Sequence, residues 1–102
     1  MAFALHPEAI QDIDDIHTFI NQLSFSAANR VMDEIRSAID SLARMPYSGH
    51  RRPDLTSRPL LFAVVRNYLI AYAPRQDPIW IVAVVDGRRN PRVIASILRS
   101  RE

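Results

Sequence analysis

Ile79-Trp80-Ile81-Val82-Ala83-Val84-Val85 is apolar at every position. A strand with one face in water alternates apolar and polar residues, so a run without alternation is expected to be covered on both faces. Its length and its Val, Ile and Trp content favour a strand over a helix. Working backwards, Tyr68–Ala73 and Leu60–Arg66 have the same character. Asn67 separates these two, and Pro74-Arg75-Gln76-Asp77-Pro78 separates the later pair. Such residues favour turns, and connections this short join antiparallel neighbours. Three consecutive antiparallel strands are expected.

Upstream of the strands the period changes. Ala28, Val31, Ile35, Ala38, Leu42 and Met45 recur at alternating spacings of three and four. This is the apolar seam of a helix of about 20 residues, roughly 30 Å long. Its polar side offers Arg30 to Glu34, Arg36 to Asp40 and Asp40 to Arg44, each four apart. An earlier seam of Ala9, Ile13, Ile16, Ile20 and Leu23 predicts a first helix over residues 7–22, with Glu8, Asp12, Asp15 and Gln22 on its outer side. Pro7 suits the first turn of that helix. Ser24-Phe25-Ser26 ends it, with Ser26 as the expected N-cap of the second helix. So short a connection implies an antiparallel hairpin. Phe3-Ala4-Leu5 reads as a short strand closed by Pro7, residues 49–59 as a polar loop, and Arg92–Arg99 as a short helical tail.

The chain is thus expected to be a single α+β domain over residues 1–102. A short N-terminal strand and an antiparallel helical hairpin pack on a small antiparallel β-sheet, and a short C-terminal helix follows. With 102 residues, 48% of them hydrophobic and 24% charged, there is enough material for one core. The absence of cysteine excludes disulfides, thiolate metal sites and cysteine nucleophiles. No apolar run reaches the roughly 18 residues of a membrane span. Met-Ala-Phe-Ala-Leu is not expected to be a signal peptide, and a cytoplasmic location is expected.

The helical hairpin can cover one face of the Ile79–Val85 strand. The candidate within the chain for the other face is the tail, through Val93, Ile94, Ile97 and Leu98. A helix so short rarely holds without tertiary support. Either the tail closes that face, or a partner covers part of it by groove or added-strand binding. Trp80, Val82, Val84, Ile94 and Leu98 are the candidate residues of such an apolar partner groove.

Charge is divided along the chain. Residues 1–50 hold three Arg and seven acids; residues 51–102 hold ten Arg and four acids. All thirteen basic residues are Arg, the side chain that grips carboxylates and phosphates with two parallel bonds. Arg66, Arg88, Arg89 and Arg92 fall at or near ends of the expected sheet, as candidates for binding a partner or an anion. Little else suggests chemistry. His6, His17 and His50 lack metal-ligand spacing, no glycine-rich phosphate loop exists, and no serine sits in a nucleophile elbow. No catalytic residue, metal or cofactor is assigned. Asp12, Asp14 and Asp15 read as a solvated face.

The ordered set of these features resembles the ParE-like toxins of the ParE/RelE superfamily, the plasmid stabilisation proteins. His6-Pro7-Glu8-Ala9 with Asp12-Ile13 and Ile16 is similar to their opening; Ala28, Arg30, Ile35 and Leu42, then Pro46 and Gly49, continue it. Arg51-Arg52-Pro53-Asp54-Leu55 resembles their linker, Tyr68-Leu69-Ile70-Ala71-Tyr72 their central strand, and Ile79–Val85 with Asp86-Gly87-Arg88-Arg89-Asn90 their last strand and its basic end. The resemblance implies the layout read above and a type II toxin–antitoxin role. The toxin would be neutralised in a hetero-oligomer with a tightly bound, ParD-like antitoxin. For ParE-type members it implies DNA gyrase as target, inhibited by binding rather than catalysis.

RelE-type relatives instead cut mRNA on the ribosome. They carry an Arg second in the central strand, where this chain has Leu69, and often an aromatic or acid–base residue where it has Val93-Ile94. Arg88 matches a basic position that they use, but Arg cannot serve as a general base. A non-enzymatic, partner-binding toxin is therefore expected. The alternatives are a RelE-type endoribonuclease and an inactive relative that only binds its antitoxin.

Overall fold

The computed structural model describes residues 3–101. Their elements run β1 (Phe3–Leu5), α1 (Pro7–Leu23), α2 (Phe25–Arg44), β2 (Leu61–Val65), β3 (Tyr68–Ala73), β4 (Ile79–Asp86) and α3 (Pro91–Arg99). The expected α+β layout is present, with one difference in the sheet. Its order is β1-β4-β3-β2, and β1 runs parallel to β4, so the sheet is mixed rather than wholly antiparallel. The helical hairpin makes this possible, because it carries the chain back across the sheet between β1 and β2.

A single residue joins the two helices. The Ser24 N–H donates to Ile20 O at 2.9 Å and closes α1, while its Oγ accepts from Ala27 N at 3.2 Å and starts α2. Ser24, in extended backbone, does the work expected of Ser26, which lies inside the helix. At the other end of α1 the ring of His6 accepts from Glu8 N at 3.0 Å, ahead of Pro7. The α2 seam buries Ala28, Val31, Ile35, Ile39, Leu42 and Ala43. Met45, expected on it, is exposed because the helix ends at Arg44 and Met45 is its C-cap. Leu23, expected on the α1 seam, is 75% exposed at the hairpin tip.

β4 is buried on both faces, and a β-bulge decides how. Against β3, Ala71 pairs with Ala83 but Tyr72 with Ile81, which leaves Val82 as the extra residue. Alternation therefore slips by one. Ile79, Ile81 and Val84 face the helical hairpin, in a core with Ala9, Ile35, Ile39 and Tyr72. Val82, Ala83 and Val85 face away, in a second core with Leu55, Leu60, Phe62 and Leu69.

That second core is closed by the chain itself. Ile94 and Leu98 of α3 are each 1% exposed against it, with Leu55 and Leu60 of the loop before β2 beside them. This corrects the reading of an open groove. Val82, Ile94 and Leu98 are interior to the second core, and Val84 lies under the hairpin. Of the five proposed groove residues, Trp80 alone is partly exposed, at the margin of the second core and with its ring 5.8 Å from that of His6.

Candidate functional site

Four arginines gather at one end of the sheet because two connections meet there. Tyr68 at the start of β3 pairs with Asp86 at the end of β4, and Gly87 N donates to Asn67 O at 2.7 Å. The β2–β3 turn, Arg66-Asn67, is thereby tied to the segment that carries Arg88, Arg89 and Arg92. Gly87 fits this approach closely: a Cβ there would lie 3.0 Å from Leu69 Cγ and 3.3 Å from Asn67 O. Arg66 takes φ 55 in its two-residue turn, a left-handed conformation that side chains rarely adopt.

The four are not equivalent. Arg66 forms a two-bond fork with Glu34 of α2, its Nε and Nη2 donating at 2.7 and 2.8 Å. Glu34 thus turns to Arg66 rather than pairing along its helix with Arg30. Arg88 forks Asp86 at 3.1 and 2.8 Å, and its backbone N–H donates to the same carboxylate at 2.9 Å. These bonds hold Asp86 far below the ordinary carboxylate range and lower Glu34 as well, and they raise both arginines. Arg89 and Arg92 are exposed and pair with no carboxylate among the described residues. They flank the start of α3, where Asn90 Oδ1 accepts from Arg92 N at 2.9 Å and Pro91 fills the first turn. Four guanidinium groups face two carboxylates here, so the sheet end keeps an excess of positive charge, concentrated on Arg89 and Arg92.

Sequence reasoning missed a second ionic cluster. Asp12, read as part of a solvated face, points inward, with its side chain 16% exposed. Arg101 donates through Nη2 to its Oδ1 at 2.9 Å and through Nη1 to its Oδ2. Arg101 is the one buried charged residue among those described. The pair sits where β1 ends and the edge of β4 would otherwise be bare: Val84 N donates to Asp12 Oδ2 at 3.0 Å, and Arg101 Nη1 donates to Val82 O at 3.2 Å. The signal was present in the spacing. Asp12 lies three residues after Ala9 and four before Ile16, on the inward arc of α1. Its partner lies 89 residues away, beyond what spacing reveals. Arg58, also unassigned, donates through Nη1 to the carbonyls of Leu98 at 2.9 Å and Arg101 at 2.6 Å.

The positions that bear on RNA cleavage also have definite places. Leu69 is 5% exposed within the second core and Ile94 is buried in the same core, whereas Val93 is exposed on the outer side of α3. Arg88 is exposed, and Tyr68, at the start of β3, is largely buried. Among the described residues no three His, Asp or Glu side chains gather as a metal site, and no helix is long and apolar enough to cross a membrane.

No curated protein matches the chain. The family model for the ParE toxin of the type II toxin–antitoxin system parDE matches residues 3–91, which span β1 to the start of α3 and include Arg66, Arg88 and Arg89. The chain belongs to the ParE toxin family of type II toxin–antitoxin systems.

Proposed function

We propose that this chain is a toxin that acts by binding, with DNA gyrase as its target and a ParD-like antitoxin as its tightly bound neutraliser in a cytoplasmic hetero-oligomer. The observation that carries this reading is the sheet end at Arg66, Arg88, Arg89 and Arg92. It offers guanidinium groups, which recognise carboxylates, and the two carboxylates beside them, Glu34 and Asp86, are forked by Arg66 and Arg88 and held below their ordinary range, which makes them poor bases toward a ribose hydroxyl. Arg89 and Arg92 are uncommitted and exposed, the state expected of groups that meet an acidic partner. At the positions where RelE-type nucleases carry functional side chains, Leu69 and Ile94 are sealed in the second core and Val93, though exposed, is an aliphatic side chain that can neither give nor take a proton.

A RelE-type reading draws on Arg88, which is exposed at the sheet end and matches a basic position of those nucleases. The two readings separate on expression of the chain without its antitoxin. A gyrase-binding toxin stops growth with altered plasmid supercoiling and intact mRNA. Codon-phased cuts in translated mRNA would replace that reading with the nuclease. Unimpaired growth would mark an inactive relative.

A further inference from the structure

α3 is fastened at one end. It follows the exposed segment Gly87–Asn90, takes no part in the sheet ladders, and fully buries only Ile94 and Leu98. Its start is bonded within itself, through Asn90 to Arg92 N and Val93 N. Among the described residues, every side-chain hydrogen bond between this segment and the rest of the fold is at its C-terminal end: Arg101 to Asp12 and Val82 O, and Arg58 to the carbonyls of Leu98 and Arg101. A helix of this length is marginal alone, so its position rests on those bonds and on the burial of Ile94 and Leu98.

We propose that α3 is a latch over the second face of the sheet, locked by the Asp12–Arg101 pair. Released, it would swing away from Val82, Ala83 and Val85 as a unit while the helical hairpin and the sheet stay folded. Three observations support separability. The helix is joined to β4 through an exposed connection. The larger hairpin core contains no α3 residue. The lock is also unsaturated, because Arg101 Nε is buried without a hydrogen-bond partner among the described residues and Glu8 Oε2 stands 4.0 Å away.

The open face would accept an amphipathic helix with two apolar residues four apart, followed by a cation for Asp12, since that is the pattern by which Ile94, Leu98 and Arg101 fill it. The latch does not depend on gyrase being the target, and Arg101 lies outside the residues matched by the family model.

Amide exchange on the full chain tests this. In the unaltered protein, α3 should open more readily than β3 and β4; equal protection of helix and strands would overturn the latch. In Arg101→Gln, removing one partner of a buried pair should speed exchange over residues 94–100 on the order of a hundredfold, with β3, β4 and α2 little changed. Unchanged exchange in α3, or equal acceleration everywhere, would contradict the proposal. Arg101→Lys keeps the charge without the fork and should fall between. Trp80, the single tryptophan, borders the second core and reports the opening by a red-shifted emission. A synthetic peptide of residues 90–101 should bind Arg101→Gln and reverse that shift without affecting the unaltered protein; no binding to the variant would remove the docking face.

Discussion

Gly49 N donates to the hydroxyl of Tyr72 at 3.0 Å across 23 residues, and the same hydroxyl donates to Pro46 O at 2.7 Å. This contact fastens the chain leaving α2 onto β3, and burial pushes the phenol up from its ordinary value. Tyr72→Phe leaves an N–H and a carbonyl without their partner, which costs about 1–3 kcal/mol. Gly49→Ala should be at least as damaging, because the added Cβ would lie 2.5 Å from Tyr72 Oη and 2.9 Å from Phe62 O. Chemical denaturation of both variants checks this, and midpoints equal to that of the unaltered protein would refute the role given to the contact.

The arginine-rich sheet end predicts a ranking. Arg89 and Arg92 are free of carboxylates among the described residues, whereas Arg66 and Arg88 are forked by Glu34 and Asp86. Charge reversal at Arg89 or Arg92 should therefore weaken antitoxin binding more than reversal at Arg88, and should flatten its dependence on salt. Affinities measured across a series of salt concentrations test both parts. If all these variants bind as the unaltered chain does, the antitoxin sits elsewhere.

Glu34→Gln is predicted to act in the opposite direction. The Arg66–Glu34 fork is exposed, and exposed pairs add little to stability. Loss of Glu34 should leave the melting temperature nearly unchanged while freeing Arg66 for an acidic partner, with a few-fold gain in affinity. A loss of affinity would show that the fork positions Arg66 rather than competing for it.

Acid should destabilise the fold through Asp86. Its carboxyl is held far below the ordinary range, chiefly by the Arg88 side chain and then by the Arg88 backbone N–H. The unfolded chain therefore binds a proton near pH 4, where the folded chain does not. The stabilisation is complete above that value and declines as pH falls below it towards the folded value. Asp86→Asn should narrow the difference in melting temperature between pH 7 and pH 3. An unaltered difference would mean that other groups govern the acid response.

The sequence made the regular elements legible where periodicity was strong. β3 matches its expected limits at Tyr68–Ala73, β4 contains the whole apolar run Ile79–Val85 and ends at Asp86, and that run foretold burial on both faces. The bulge at Val82 was not legible, because a run without alternation carries no phase to lose. The mixed sheet escaped because Phe3–Leu5 pairs with residues 79–81, a contact set by tertiary packing. At the site, Arg66, Arg88, Arg89 and Arg92 were placed by position in the chain, and the structure brings them to one end. Their division into forked and free arginines depends on Glu34, a residue of α2 that spacing along the helix assigned to Arg30. The inward place of Asp12 was readable from its spacing to Ala9 and Ile16, but its partner Arg101, 89 residues away, was not, because spacing along one helix carries no information about so distant a residue.

The most direct measurement is a titration of purified chain against DNA gyrase in a supercoiling assay, with and without antitoxin. The account predicts inhibition that rises in proportion to the amount of chain, levels off near stoichiometric binding, and is relieved by antitoxin, with added RNA left uncut. Full supercoiling activity at a clear excess of the chain would contradict it.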